Sequence, residues 1–540
     1  MKKNVLALSI AAGLLGLAGG AHAVTDVGGA TAATSLAQNL DGIGHILVVP
    51  YFTAQGANNT LLNIVNTDQT NGKAVKVRFR GAANSDDIYD FQVFMSPGDV
   101  WSANIAKGAT GLSQLTTSDK TCTKPAAATL NTTPFVTARL DQTLTGDALA
   151  SQTREGYIEI LNMADIVPGN ALFTAIKHVS GVAPCSGAAW TALDLAVDTN
   201  VVGYNGLFLS SPTTGLMANW TIINTVGAAA WSSTAVALES RAAGVAAAGH
   251  LVYWPQTSTP VAAATADNYT ADPLIRDTSL VPGVGTAVTV AAAPAFAAGF
   301  YDFPDLSTAY TTTASAAGAA NANGPLQQAF ALTSQLHATT ITNEFLTGSG
   351  IGATTDWTFA MPTRRYHVAF NYSVSGAAEG RRFTEILDDG APATMVSGYF
   401  VNSNTTVVNR QICVTGITYK VFDREEQTPT SSNQVVISPS SPGVPTAFCG
   451  EDSVLTLNNA GATASGSLGA MVAIKDLTVP YAAGWMVMAT PAGNATAAAA
   501  GVNVGAIAVG LPVLGGSYAK AIGSTGGQTF GAAWDHRFGR

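Results

Sequence analysis

Residues 73–80 alternate without a break. Val75, Val77 and Phe79 fall on one side of an extended chain, and Lys76, Arg78 and Arg80 fall on the other. A period of two with one apolar and one charged face marks a half-buried antiparallel strand, its charges turned to solvent. The neighbouring stretches fit the same reading. Residues 60–67 form a strand, and Asp68-Gln69-Thr70-Asn71-Gly72 a turn, since Asn-Gly tolerates the positive φ of a tight hairpin. Residues 89–96 are a third strand, Pro97-Gly98 a turn, and residues 100–105 a fourth strand. The spacing predicts a β-meander, a unit from which sandwiches are built. The expected fold is mainly β: immunoglobulin-like β-sandwich modules with long Ala/Gly/Thr-rich loops and one or two short helices.

Along the rest of the chain, residues 44–52 read as a central strand whose regular pairing Pro50 ends. Strands are expected over 134–140, 156–163, 219–225, 231–238 and 250–254, with a short helix inside 164–177. Residues 219–225 echo 62–67, both closing on Asn-Thr, which suggests a repeated module. Residues 256–324, rich in Ala, Thr, Pro and Gly, read as an excursion between modules. Pro325 suits a first helical position, and Leu326, Phe330 and Leu336 share a face, so residues 325–337 read as a helix. Further strands are expected over 365–373, 411–422, 453–457, 482–490 and 505–514. The domain plan is thus 1–23 as a signal peptide, 24–255 as an N-terminal β-sandwich region, 256–324 as a connection and 325–540 as a C-terminal β-rich domain.

Export is written at the start. Met1-Lys2-Lys3 is basic, residues 5–19 form a short apolar core, and Ala21-His22-Ala23 is a small-x-small site, so cleavage is expected before Val24. No Cys follows the site, which argues against a lipoprotein. Losing Lys2 and Lys3 takes the net charge from −9 to −11, so the chain has no electrostatic footprint for nucleic acid. The best later candidate for a membrane helix, 288–300, is short and interrupted by Pro294. An even count of four cysteines suits an oxidising compartment. Three pairings are possible, and the local one, Cys122–Cys185 with Cys413–Cys449, is expected because the two couples sit in separate halves.

The C-terminal half carries Thr342-Asn343-Glu344-Phe345, the run Asp356-Trp357-Thr358-Phe359-Ala360-Met361-Pro362-Thr363-Arg364-Arg365, Cys413 followed by Phe422-Asp423-Arg424-Glu425-Glu426, and the closing Leu511-Pro512-Val513 and 531–537. In these pieces it resembles a family of exported proteins of Gram-negative bacteria described as cell-surface proteins. The resemblance implies a location and no activity.

For chemistry, Asp423, Glu425 and Glu426 form the densest charge cluster. Their carboxylates are candidate Ca²⁺ ligands, against the alternative that Asp423 or Glu425 pairs with Arg364 or Arg365. Glu451-Asp452 is a second acidic pair beside Cys449. Asp86, Asp87 and Asp90 read as solvated turn residues or as calcium ligands. His45, His178, His250, His337, His367 and His536 show no zinc-hydrolase spacing, and no GxSxG elbow, P-loop or Rossmann fingerprint occurs. Trp101, Trp220, Trp254, Trp357 and Trp485 read as core residues or as sugar-binding aromatics. The expected function is a secreted cell-surface structural or adhesive protein, surface-layer-like and non-catalytic. Its expected partners are itself or other envelope components, with calcium the one cofactor considered. An outer-membrane β-barrel and a secreted carbohydrate-binding protein or hydrolase are the alternatives.

Overall fold

The computed structural model describes residues 25–26, 32–194, 208–253, 256, 305–307, 325–370, 372, 381–383, 399–400, 403–425, 444–458, 465–491, 510–523 and 529–540. These residues are mainly β, in sheets that stack as sandwiches and are antiparallel except where Asp452–Asn458 pairs in parallel with Ile474–Thr478, and no sheet among them closes into a barrel.

Nine principal strands build a first lobe: β1 (Ile46–Thr53), β2 (Asn58–Asn66), β3 (Gly72–Gly81), β4 (Asp87–Met95), β5 (Val100–Lys107), β6 (Glu155–Ile166), β7 (Leu216–Asn224), β8 (Ala229–Thr234) and β9 (Val236–Ala242). They pair in the order β9-β1-β6-β3-β4 in one sheet and β8-β7-β2-β5 in the other. Nine more build a second lobe: β10 (Thr340–Leu346), β11 (Thr354–Ala360), β12 (Gln411–Phe422), β13 (Val444–Cys449), β14 (Asp452–Asn458), β15 (Ala483–Ala489), β16 (Gly516–Ile522), β17 (Thr529–Asp535) and β18 (Arg537–Gly539). Their orders are β18-β10-β15-β12-β13 and β17-β16-β11-β14. Adding nine to each strand number of the first lobe reproduces the second, with every one of these pairings antiparallel in both. The fold is one topology used twice.

The registers agree as well. Phe52 lies opposite Gly156 between β1 and β6, and Phe345 lies opposite Gly484 between β10 and β15. One residue on, Tyr157 faces Arg80 and Trp485 faces Phe422. Each lobe also fastens its first two strands across the sandwich with one threonine. Thr60 Oγ1 accepts from Thr53 N (3.0 Å) and donates to Thr53 O (2.9 Å), while Thr355 Oγ1 accepts from Leu346 N (3.0 Å) and donates to Leu346 O (2.8 Å).

The expected meander is not a single sheet. β2 pairs with β5 and β3 with β4, so the chain arches from one sheet to the other across residues 67–71. The Asn-Gly pair therefore closes no hairpin. Asp68 Oδ1 instead accepts from Thr70 N and Asn71 N, and Asn66 Nδ2 donates to Asn71 O. Alternation reveals which face of a strand is apolar, but two alternating strands can face each other across a core as well as lie side by side. The echo of 62–67 by 219–225 joins neighbours rather than modules, since β2 and β7 pair with each other.

Other boundaries shift for local reasons. Pro50 does not end β1; the strand runs on to Thr53, and the register jumps between Val49 and Phe52. Residues 134–140 hold only a bridge at Pro134. The stretch 231–238 divides at Ala235, where the chain changes sheet from β8 to β9. Residues 365–373 begin as a 3-10 turn, Arg364–Tyr366, before the short strand Val368–Phe370. The helices include Ala171–Ile176, capped by Asn170 accepting from Phe173 N, and Pro325–Leu336. Trp254, most of 256–324 and 505–509 lie outside the described residues. No helix among the described residues is long and apolar enough to cross a membrane.

Two cores result. One fills the first sandwich with Leu62, Ile64, Val75, Val77, Phe79, Trp101 and Trp220, and it takes in Val454, Leu468 and Tyr518 from the second lobe. The other fills the second sandwich and continues over the outer face of β1, β3 and β6. The first lobe's five-stranded sheet is thus apolar-packed on one face and covered on the other.

Candidate functional site at the lobe seam

That cover overturns the expectation for β3. Lys76, Arg78 and Arg80 do point away from Val75, Val77 and Phe79, but the face they occupy is buried beneath other parts of the chain. Desolvating three cations demands nearby partners. Lys76 pairs with Asp90, and Gln256 bridges them, accepting from Lys76 Nζ (2.7 Å) and donating to Asp90 Oδ1 (2.9 Å). Arg80 Nε donates to Glu159 Oε2 (3.3 Å), and Arg365 Nη2, from the second lobe, donates to Glu159 Oε1 (3.1 Å). Burial pushes Asp90 up, yet the Lys76 and Arg78 charges outweigh it and hold the carboxyl below its usual range.

Asp86, Asp87 and Asp90 are accordingly not solvated. Tyr372 OH donates to Asp86 Oδ2 (2.7 Å), and Asp87 is buried near Arg80. Arg364 and Arg365 do not pair with Asp423 or Glu425. Arg364 Nε reaches Glu451 Oε2 (2.5 Å) and its Nη1 reaches Ile412 O (2.7 Å). Burial alone would drive Glu451 upward, and Arg364 and Arg365 oppose it. Asp423 and Glu425 follow β12 in a turn where Glu425 N donates to Asp423 Oδ1 (2.9 Å); Glu426 lies outside the described residues. Among the described residues no three His, Cys, Asp or Glu side chains gather closely enough to hold a metal ion.

The seam holds a second group with a different balance. Glu155 opens β6 of the first lobe, Asp452 opens β14 of the second, and Asp356 lies on β11; all three are fully buried. Asp356 Oδ2 is satisfied by Ser467 N (3.0 Å), Leu468 N (2.7 Å) and Ser465 Oγ (2.6 Å). Glu155 Oε1 accepts from Gln55 Nε2 and from Met471 N of the second lobe, both at 2.6 Å, and Tyr51 OH donates to Oε2 (3.3 Å). Neither carboxylate oxygen of Asp452 has a hydrogen-bond partner among the described residues. Burial raises Glu155 to about 7. Burial, reinforced by the charges of Glu155 and Glu451, raises Asp452 well above the usual carboxylate range. Tyr51 is driven up by burial and by Glu155, Asp452 and Asp356 around it.

Backbone bonds place these groups. Glu451 N and Asp452 N both donate to Ala82 O (2.8 and 3.1 Å), Asn58 Nδ2 donates to Leu468 O (2.5 Å), and Trp231 Nε1 donates to Ala519 O (2.8 Å). Glu451-Asp452 was visible in the sequence as an acidic pair. Glu155 and Asp356 carried no signal, because a lone carboxylate within a strand looks like a solvent-facing one.

Trp101, Trp220 and Trp357 are core residues, and Trp485 stacks on Phe422 with centroids 4.2 Å apart. His45, His367 and His536 are buried, and burial lowers each to about 3. The disulfides join Cys122 to Cys185 and Cys413 to Cys449, as the sequence suggested. Compared with protein-family models, curated proteins and solved structures, the chain matches none.

Proposed function

We propose that this chain is an exported structural or adhesive protein of the bacterial cell surface, with itself or other envelope components as partners. The observation that carries the reading is the use of its charged groups. Arg365, Glu159 and Arg80 join the two sandwiches, and Arg364 with Glu451 braces the seam, so they act as internal struts. Two disulfides suit an oxidising, exported environment. The N-terminal signal and the resemblance to exported proteins of Gram-negative bacteria support the finer location.

Fractionation of producing cells with an antibody to the mature chain tests the proposal. The expected result is oxidised protein at the cell surface that leaves without detergent, and electron microscopy of the released material then separates a regular lattice from a dispersed adhesin. Reduced protein confined to the cytoplasm overturns it. The surface-layer version requires assemblies that a chelator disperses if Asp423, Glu425 and Glu426 bind calcium.

A further inference from the structure

We propose that Glu155 and Asp452 form a proton-gated latch: protons held on these two buried carboxyls keep the two lobes clamped together, and losing them above neutral pH loosens the seam. The idea does not depend on where the protein resides, so its test is separate from that of the proposed function.

The geometry supplies the argument. Glu155 belongs to the first lobe, and one of its oxygens takes a backbone N–H from Met471 of the second. Asp452 belongs to the second lobe, and its backbone N–H is held by Ala82 O of the first. Each carboxyl therefore sits on a strand end tied to the other lobe. The titratable and charged groups packed around them are Tyr51 on β1, Asp356 on β11, Glu451 beside Asp452, Tyr518 on β16, and Arg154 beside Glu155. The basic groups are committed elsewhere. Arg154 binds Gln55 Oε1 (2.8 Å), Gly111 O (2.6 Å) and Asp147 Oδ1 (3.0 Å); Arg364 binds Glu451, and Arg365 binds Glu159.

Two buried carboxylates facing each other's field cannot both stay ionised without a counter-charge. Among the described residues no three His, Cys, Asp or Glu side chains gather to hold a cation, and a proton is the neutralising charge proposed. A proton on Asp452 also removes the charge from a carboxyl whose two buried oxygens have no hydrogen-bond partner among the described residues.

The sign follows from linkage. A carboxyl whose folded pKa lies above its unfolded value adds stability at low pH, and that stability is lost as pH rises through the folded value. For Glu155 the window runs from 4.5 to about 7, and Asp452, raised by burial and by the Glu155 and Glu451 charges, acts in the same direction. His45, His367 and His536 act in the opposite direction, but only below their ordinary value of 6.5. Above neutrality the histidines are neutral in both states, and the carboxyl pair controls the slope.

The experiment measures urea unfolding of the oxidised mature protein in chelator between about pH 7 and about pH 9, beside Asp452→Asn, Glu155→Gln and the exposed control Asp41→Asn. Wild type and control should lose midpoint concentration as pH rises. Asp452→Asn should lose at least half of that dependence and be the more stable protein at the alkaline end. Amide exchange at Met471 and Asp452, corrected for its intrinsic pH dependence, should speed up at the alkaline end in wild type only. An unchanged slope in both variants overturns the latch. So does restoration of the wild-type midpoint by Ca²⁺ that Asp452→Asn abolishes, which would make the site a cation site. Should the variants not fold, infrared spectra of wild type decide: a protonated carboxyl band at neutral pH that vanishes at alkaline pH supports the latch, and its absence at neutral pH overturns it.

Discussion

The five-stranded sheets of the two lobes share strand order and register, yet they live in different surroundings. In the first, β3 and β6 are buried on both faces. In the second, the corresponding strands β12 and β15 bury one face and leave the other partly open. Where the first lobe sets Arg80 against Tyr157 and places Glu159 two residues on, the second sets Phe422 against Trp485 and places Val487. The triplet with two charges is on the buried face and the apolar one is on the half-open face, the reverse of the usual rule. The difference teaches that topology and side-chain polarity were set separately. The buried charges are explained by what they join, a second lobe bringing Arg365, and not by the sheet that carries them.

The largest expected effect tests that explanation directly. Glu159→Ala removes the carboxylate shared by Arg80 and Arg365 and should cost roughly 3–5 kcal/mol, as breaking a buried ion pair does. Val487→Ala, at the matching position, should cost about 1 kcal/mol. Urea midpoints of the two variants measure both. Equal costs would break the contrast between a strut and a half-exposed surface residue.

Next come the glycines at the shared register. A Cβ on Gly156 would lie 1.7 Å from Arg80 O, and one on Gly484 would lie 2.0 Å from Phe422 O. Both clashes are with backbone, so paired strands would have to separate. Gly156→Ala and Gly484→Ala should each cost about 3 kcal/mol by the same measurement. A tolerated substitution in one lobe only would weaken the equivalence drawn from the registers.

The sheet-to-sheet corners sharpen the comparison through pH. The corner between β8 and β9 is Ala235, and that between β17 and β18 is His536, both buried. His536 is held neutral, its Nδ1 bonded with Asn343 Nδ2 (3.0 Å) and its Nε2 with Thr358 O (3.1 Å). Burial lowers it to about 3, so its contribution is present above 6.5 and lost as pH falls below. Comparing stability at neutral pH and near pH 5, His536→Gln should flatten the acid-side slope by about 2 kcal/mol. An Ala235→Ser variant should leave that slope alone.

How much of this was legible follows from the same residues. The strand over 411–422 was readable to its ends, and the disulfide partners followed from their separation along the chain. The faces of β3 were also readable, because alternation is local. What covered them was not, because Glu159 and Arg365 are far apart in sequence and meet only in the fold. The duplication was hidden for a related reason. Its shared elements are the pairings and the glycine, phenylalanine and threonine matched at Gly156/Gly484, Phe52/Phe345 and Thr60/Thr355, while other matched positions differ, as Arg80 and Phe422 or Glu159 and Val487 show.

The smallest expected effect bears on that duplication most closely. Thr60 and Thr355 each give and take one hydrogen bond to the strand before, at distances that differ by no more than 0.1 Å between the lobes. Both are fully buried, so a valine of similar shape keeps the packing and removes only the hydroxyl. The lost bonds leave a backbone N–H and C=O without that partner, and Thr60→Val and Thr355→Val should each cost about 1 kcal/mol. Surroundings differ sharply between the sites, with Glu155 opposite Thr53 and Ala483 opposite Leu346. Equal costs would mean that the bridge belongs to the shared topology. A cost confined to Thr60 would instead assign it to the acidic seam that only the first lobe carries at this position.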